Sequence, residues 1–549
     1  MNALQAQRNK SRAFILAGLS LLILPFQNCS PGFSTLDLSS SGSGGALGIT
    51  ASLSSKRAFG QTGLRRLTRS ELSNSLQDVF GLAPASGQTD LLPEDLASTV
   101  PFDNEYQTQA ISDFVVLGYD MFAEQYSAQV AADTSVVSRV AGCKPAKADD
   151  LACFTQFMKK AGRRILRRTI TDTEVNTYAA ALLPYAAQDS NFATAVQLLV
   201  QAWAMNPEFL YRVEAGETIR PEPGLIQLTQ FEAASRMSYL IWGSTPDDTL
   251  LDAAAAGQLT SDTQRLAQAK RMLADSKAKR QFENFTAEWL GYSTTYLDPT
   301  LASDMRNESA ALVDKVFDAN HDVLDLFNSD QTYVTPALAS HYGFPAITKA
   351  QWITGHGGGL LSHATVATLG AKFGDTSPTL RGYALFKRVM CQKTGPVPAG
   401  IDIDTPPGNP TDCKPVRYSM RNNQSCASCH AQFDGIGFGL ENMGPAGEWR
   451  TTEPANPNCA ISGQGQFIAQ TPVNFNGPKE LGAAFAKDDR VAGCATTQLF
   501  RFMSGRLEDA DDQATLEALK MQYYQTPGLQ DLILSLVRSP GMMNKIEVL

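Results

Sequence analysis

Three times in the first half of the chain a threonine is followed three residues later by a glutamate: Thr68 with Glu71, Thr171 with Glu174, and Thr229 with Glu232. In such a box the threonine side chain accepts from a free backbone N–H of the first helical turn, and the glutamate reaches back to the threonine's own N–H. Each box therefore fixes where a helix begins. Apolar residues follow at helical spacing: Leu72, Leu76, Val79 and Phe80 after the first, Val175, Tyr178 and Leu182 after the second, Met237, Tyr239, Leu240 and Trp242 after the third. The intervals between boxes differ, which favours independent helix starts over an internal repeat. The expected fold class is mainly α, and with 549 residues the chain is long enough for several domains.

One stretch is of another kind. Gln424-Ser425-Cys426-Ala427-Ser428-Cys429-His430 carries a C-x-x-C-H signature, the pattern of covalent c-type haem attachment. Two thiols three positions apart on a helical turn fall on one side and can form thioethers with the two vinyl groups of one porphyrin. A histidine directly after the second thiol is placed to ligate the iron. Cys426, Cys429 and His430 are thus the candidate cofactor-binding residues, with His430 as axial metal ligand. A structural zinc site needs a second ligand pair, and the chain has no other C-x-x-C and no H-x-x-x-H. A redox dithiol calls for a βαβ setting that the flanks do not offer.

The N-terminus reads as an export signal: Arg8, Lys10 and Arg12, then an apolar run from Ala13 to Phe26, too short for a comfortable span. Cys29 stands where a bacterial lipoprotein signal places its lipidated cysteine, although Phe26-Gln27-Asn28 replaces the usual small residues. The expectation is export to the periplasmic side of a bacterial membrane as an outer-membrane lipoprotein anchored at Cys29, with plain secretion as the alternative. In that oxidising compartment the six remaining cysteines can form disulfides. Sequence neighbours suggest Cys143 with Cys153, Cys391 with Cys413 and Cys459 with Cys494, one connectivity among about 15. The net charge of −9 and the lack of a Lys/Arg block argue against nucleic acid, which needs a concentrated basic surface. The densest basic group, Arg163, Arg164, Arg167 and Arg168, reads as a solvated helix face.

The expected organisation runs as a signal over 1–29 and a Ser/Gly-rich tether over 30–63. Helical domains follow over 64–140, 141–220 and 224–352, then a cytochrome c-like haem domain over 355–455 and a C-terminal helical domain over 465–549. Long helical patterns cover Phe192 to Tyr211, Ser261 to Leu290 and Ser309 to Phe327. The glycine run Gly355-His356-Gly357-Gly358-Gly359 lacks the G-K-[ST] of a phosphate loop and reads as a turn. After His430 the glycines from Gly435 to Gly447 argue against a regular helix and for a loop lying on a flat ring, with Phe438, Leu440 and Trp449 excluding water. Arg450 is either a partner for a haem propionate or a surface arginine. His321 and His341 are isolated and read as satisfied polar groups.

Taken together, several stretches resemble a known family. Gly357 to Leu361, Thr376-Ser377-Pro378 with Arg381-Gly382, Cys426 to His430, Phe438 with Glu441-Asn442, and Trp449-Arg450 look like the cytochrome-bearing multidomain secreted proteins of planctomycetes. The likeness extends upstream through Leu67 to Leu72, Pro207 to Arg212 and Leu228 to Trp242, and downstream through Phe475, Leu481, Cys494 and Phe500 to Arg506. Those proteins string domains of unknown function around one C-x-x-C-H module. The resemblance implies one haem c on Cys426, Cys429 and His430 and names no substrate. Gly435 and Met443-Gly444 depart from the family pattern.

The expected function is an exported monohaem c-type cytochrome that transfers electrons as the redox part of a periplasmic oxidoreductase system, docking to a redox partner protein. The second axial ligand is open among Met443, Met503, His356 and His363. An empty sixth position would instead give a peroxidase or gas-binding module. The reading of another class is a non-redox cell-envelope lipoprotein that binds a partner or polysaccharide.

Overall fold

In the computed structural model the three Thr-x-x-Glu boxes open the helices Arg69–Phe80, Asp172–Gln188 and Gln230–Trp242. In the first, the Glu71 N–H donates to Thr68 Oγ1 at 3.2 Å and the Thr68 N–H donates to Glu71 Oε2 at 3.1 Å. The structure describes residues 59–546 except 93, 95–99, 219–222, 294–296, 373, 398–406, 410, 420–423 and 470. The export signal, Cys29 and most of the tether lie outside the described residues.

The architecture is mainly helical and multidomain, and among the described residues every sheet has only two strands. Three long helical expectations are corrected. The pattern from Ser261 to Leu290 is two helices, Asp262–Leu273 and Ser276–Leu290, because the Asp275 side chain caps the second by accepting from the Lys277 N–H. The pattern from Ser309 to Phe327 begins earlier and stops sooner, as Ala302–Asp318, with Asn320 at φ 48° turning the chain before Asp325–Asn328. The helix expected through Tyr211 ends at Ala204, and Asn206 caps the separate turn Pro207–Leu210. No described helix is long and apolar enough to cross a membrane.

Burial follows the apolar periodicity. Residues from Leu67 to Leu210, joined by Tyr239, form one core, so the helices of the first two expected domains pack together. A larger core draws on residues from Val100 to Met542. Trp289 meets Phe327 edge-on at 5.6 Å, and Phe327 meets Phe485 at 6.5 Å, tying the middle of the chain to its C-terminal helices. The glycine run is the expected turn: Gly355, Gly357, Gly358 and Gly359 all have positive φ. A Cβ on Gly359 would fall 2.3 Å from Leu326 O, so the run also lets two backbones touch. Two short strand pairs close the fold. Arg65–Arg66 pairs antiparallel with Tyr211–Arg212, and Leu225–Gln227 pairs with Asn544–Ile546.

The Arg163 to Arg168 group is not a solvated face. Arg164 donates to Asp78 O at 2.7 Å, Arg168 pairs with Glu208 and Glu174, and Arg167, 5% exposed, donates to Phe209 O and Tyr211 O. Guanidinium forks suit such multiple acceptors, so these arginines join helices. His321 and His341 are satisfied as expected: Asp325 lies 3.2 Å from His321 Nδ1, and His341 Nε2 donates to Ala446 O at 2.8 Å.

Candidate functional site

The C-x-x-C-H stretch opens the helix Gln424–Phe438, which runs through Gly435 and Gly437. The expectation of a glycine-rich loop here is corrected, and the reason is close packing. A Cβ on Gly437 would lie 1.8 Å from Pro378 O, and one on Gly435 2.2 Å from Gln466 O. Across the interface a Cβ on Gly382 would lie 1.9 Å from Phe433 O. The helix Pro378–Arg388 and the hairpin Gln464–Ile468/Pro472–Asn476 can approach only because these positions lack side chains. Packing thereby overrides glycine's low helix propensity, about 1 kcal/mol per residue.

Cys426 and Cys429 are half-buried and unpaired, whereas the other six described cysteines form three disulfides. Cys143–Cys153 is the expected pair, while the other two are exchanged: Cys391 bonds Cys494 and Cys413 bonds Cys459. Tertiary structure decides this. Cys391 follows the Pro378–Arg388 helix, whose end meets the helix Asp489–Ser504, with Gln498 Nε2 3.5 Å from Arg388 O. Cys413 is drawn to the strand Asn456–Ala460 because the Lys414 N–H donates to Glu453 Oε1 at 2.7 Å.

His430 lies one turn before Asp434, whose carboxylate oxygens are 3.0 and 3.2 Å from Nδ1. Asp434 is buried, and its hydrogen bond raises the His430 pKa while partial burial opposes the shift. Held in this way, Nδ1 carries the proton, and Nε2 is the ring nitrogen with its lone pair free to accept a ligand bond. The ring packs against Phe433, which in turn meets Tyr383 and Phe386 of the neighbouring helix. Two unbonded thiols at this spacing beside a histidine whose far nitrogen is tied to a buried carboxylate form a donor set that fits a covalently held iron porphyrin. Asp434 escaped the sequence reading, although its position four residues after His430 on one helix face was the available signal.

The candidate second ligands differ in their surroundings. His363 is fully buried with both nitrogens occupied, Nδ1 3.2 Å from Ser309 Oγ and Nε2 3.2 Å from Thr332 Oγ1. His356 packs against Tyr342 and Phe344 and donates from Nε2 to Ser362 O at 3.0 Å. Met443 is buried in the turns after the motif helix, its carbonyl accepting from Arg381 at 3.0 Å. Met503 lies on the helix Asp489–Ser504 and lines an arginine-rich cavity.

Arg450 is neither a surface residue nor a free partner for a propionate. Its Nη1 donates to Asp375 Oδ1 at 2.7 Å, its Nη2 to Glu441 Oε2 at 3.0 Å and its Nε to Glu441 O at 2.9 Å. Lys414 Nζ completes the group, 2.6 Å from Glu441 Oε2 and 2.9 Å from Asp375 Oδ2. Burial alone would raise the Asp375 pKa, but Arg450 and Lys414 hold it down at about 2. This network fastens the chain before the motif helix to the chain after it. Of the three side chains expected to exclude water, Leu440 is buried, Phe438 half-buried and Trp449 51% exposed. Trp449 therefore points outward, because its neighbour Arg450 is turned into the ionic network.

Five family models match the chain in succession, each described as a protein of unknown function: DUF1587 over 65–132, DUF1595 over 153–214, DUF1592 over 228–344, DUF1588 over 357–453 and DUF1585 over 473–541. These are domains of the planctomycete-type, cytochrome-associated multidomain family. The C-x-x-C-H helix lies inside the DUF1588 match. No curated protein and no solved structure matches the chain.

Proposed function

We propose, for a chain that carries five domains of this cytochrome-associated family, that it is an exported c-type cytochrome. Cys426 and Cys429 would hold one haem c and His430 would be its axial ligand. The bound group supplies one-electron redox chemistry. The residues around it do the rest. Asp434 fixes the tautomer and orientation of His430, Phe433 and its aromatic neighbours limit water on that side, and the Arg450–Glu441–Lys414 network holds the flanking chain rigid.

The observation that carries this reading is the contrast among the eight described cysteines: six are paired, and the two that are not belong to the motif. The protein would act as the redox part of a periplasmic oxidoreductase system, tethered by a lipid on Cys29 and docking to a redox partner protein. The helical chain ahead of the motif is far longer than electron transfer alone requires, which supports docking or substrate capture.

The test is expression in a host competent for cytochrome maturation, followed by a haem-peroxidase stain of a denaturing gel and spectra of both oxidation states. A stained band that disappears in a Cys426→Ser/Cys429→Ser double variant is expected. Colourless protein with both thiols open to alkylation would overturn the proposal and leave a non-redox envelope lipoprotein.

A further inference from the structure

The strand pair that joins the start of the described chain to the end of the DUF1595 match contains an electrostatic conflict. Arg65 and Arg212 are directly opposite each other in the antiparallel register. Like charges facing each other across strands are destabilising. Here both are also withdrawn from water, at 5% and 7% exposure. Neither has a carboxylate partner among the described residues. Arg65 donates from Nη1 to Met503 O at 2.8 Å. Arg212 has no hydrogen-bond acceptor among the described residues, its Nε is buried and unpartnered, and its guanidinium lies 5.1 Å over the Tyr239 ring. Glu71 and Glu214 act on both arginines through space without pairing with them. Burial first, and then the neighbouring guanidinium, pulls the Arg65 pKa down.

Both side chains line one cavity of about 30 Å³, room on the scale of a small ion. Two further arginines line it, and these are neutralised: Arg236 by Glu214 at 2.7 Å and Arg506 by Asp512 at 2.8 Å. Asp509 also lies 3.6 Å from Arg506, so four guanidiniums meet three close carboxylates, and Arg65 and Arg212, which make no ion pair among the described residues, are the two with donors to spare. A guanidinium fork matches an oxyanion edge to edge. The walls come from four of the five matched domains, through Arg65, Arg212, Arg236 and the stretch from Phe500 to Arg506. Donors arriving from several directions suit a tetrahedral anion better than a planar carboxylate.

We infer that this cavity is a binding site for a tetrahedral oxyanion, phosphate or its equivalent, which Arg65 and Arg212 hold and which clasps four domains together. Binding to the folded state alone raises stability as the ligand saturates. Full-length protein is titrated with inorganic phosphate, with sodium chloride and with acetate at matched ionic strength, followed by calorimetry and by thermal unfolding. One saturable phosphate site and a rise in Tm that chloride does not reproduce are expected. Arg212→Met should weaken phosphate binding about ten- to a hundredfold, the loss of one charged hydrogen-bonding group, and Arg212→Lys should weaken it less.

A Tm rise identical in chloride and phosphate would overturn the inference, as would phosphate binding undiminished in Arg212→Met. Acetate binding as tightly as phosphate would overturn the tetrahedral assignment. Should Arg212→Met fail to fold, the lysine variant supplies the comparison, and absence of saturable phosphate binding by the natural protein overturns the site by itself.

Discussion

Replacing Gly437 by alanine and replacing Gly493 by alanine are the same chemical change inside a helix, and the structure gives them opposite signs. Alanine is favoured over glycine in a helix by about 1 kcal/mol. At Gly493, in the helix Asp489–Ser504, an added Cβ meets nothing within 4 Å, so that gain stands alone. At Gly437 the Cβ would sit 1.8 Å from Pro378 O and 2.5 Å from Pro378 C. Ordinary contact begins at 3.4 Å, and the obstacle is backbone, which cannot swing aside as a side chain would. Overpacking of this kind costs about 1–3 kcal/mol, and so severe an overlap belongs at the upper end. Subtracting the propensity gain leaves Gly437→Ala destabilised by about 2 kcal/mol. Gly493→Ala should be stabilised by about 0.5–1 kcal/mol. Thermal unfolding followed by circular dichroism reads both, as a fall and a rise in Tm against the unsubstituted chain. Equal shifts, or a rise for Gly437→Ala, would refute the claim that the motif helix is seated by backbone contact.

Three other outcomes follow from the same structure. Burial pushes the Glu308 pKa up from 4.5 to about 8, against hydrogen bonds from Thr332 and Tyr342 at 2.5 and 2.6 Å. A carboxyl raised on folding contributes its full stability below pH 4.5 and loses it as pH rises toward 8. Glu308→Gln should flatten the decline in Tm across that window. Lys414→Met removes a buried cation from between Asp375 and Glu441; a loss of about 3–5 kcal/mol is expected, read as a lowered unfolding midpoint or failure of the protein to accumulate. On the proposed haem ligation, Asp434→Asn takes negative charge from behind His430 and should move the reduction potential upward. Redox titration would count against that ligation if the potential stayed put.

Helix starts were legible because a capping box is a local event, complete within four residues, and all three opened helices where the sequence put them. Helix ends were less so: Asp275 restarts a helix inside an unbroken apolar pattern, and only its hydrogen bond to the Lys277 N–H reveals the break. The hairpin Gln464–Ile468/Pro472–Asn476 escaped notice because its strands bury only Phe467 and Phe475, and most of their other residues are Gln, Asn, Gly and Pro, with only Ile468 and Val473 favouring a strand. Disulfide partners depend on which helix ends meet in space, so neighbours in sequence proved right for Cys143 with Cys153 and wrong for the other two pairs. At the candidate site the motif itself was plain to read. Its support was not, since Asp434 sat among glycines that suggested a loop and Arg450 gave no sign of its inward turn.

The aromatic contacts from Trp289 through Phe327 to Phe485, together with two cores that each draw on several modules, mean that the modules recognisable along the sequence are not separable in space. Exchanging any one of them for its counterpart from a diverged relative would set a surface shaped for one neighbour against another, and leave apolar faces without a match. Recombination at module borders should therefore be poorly tolerated, and the set is expected to pass between genomes as a block.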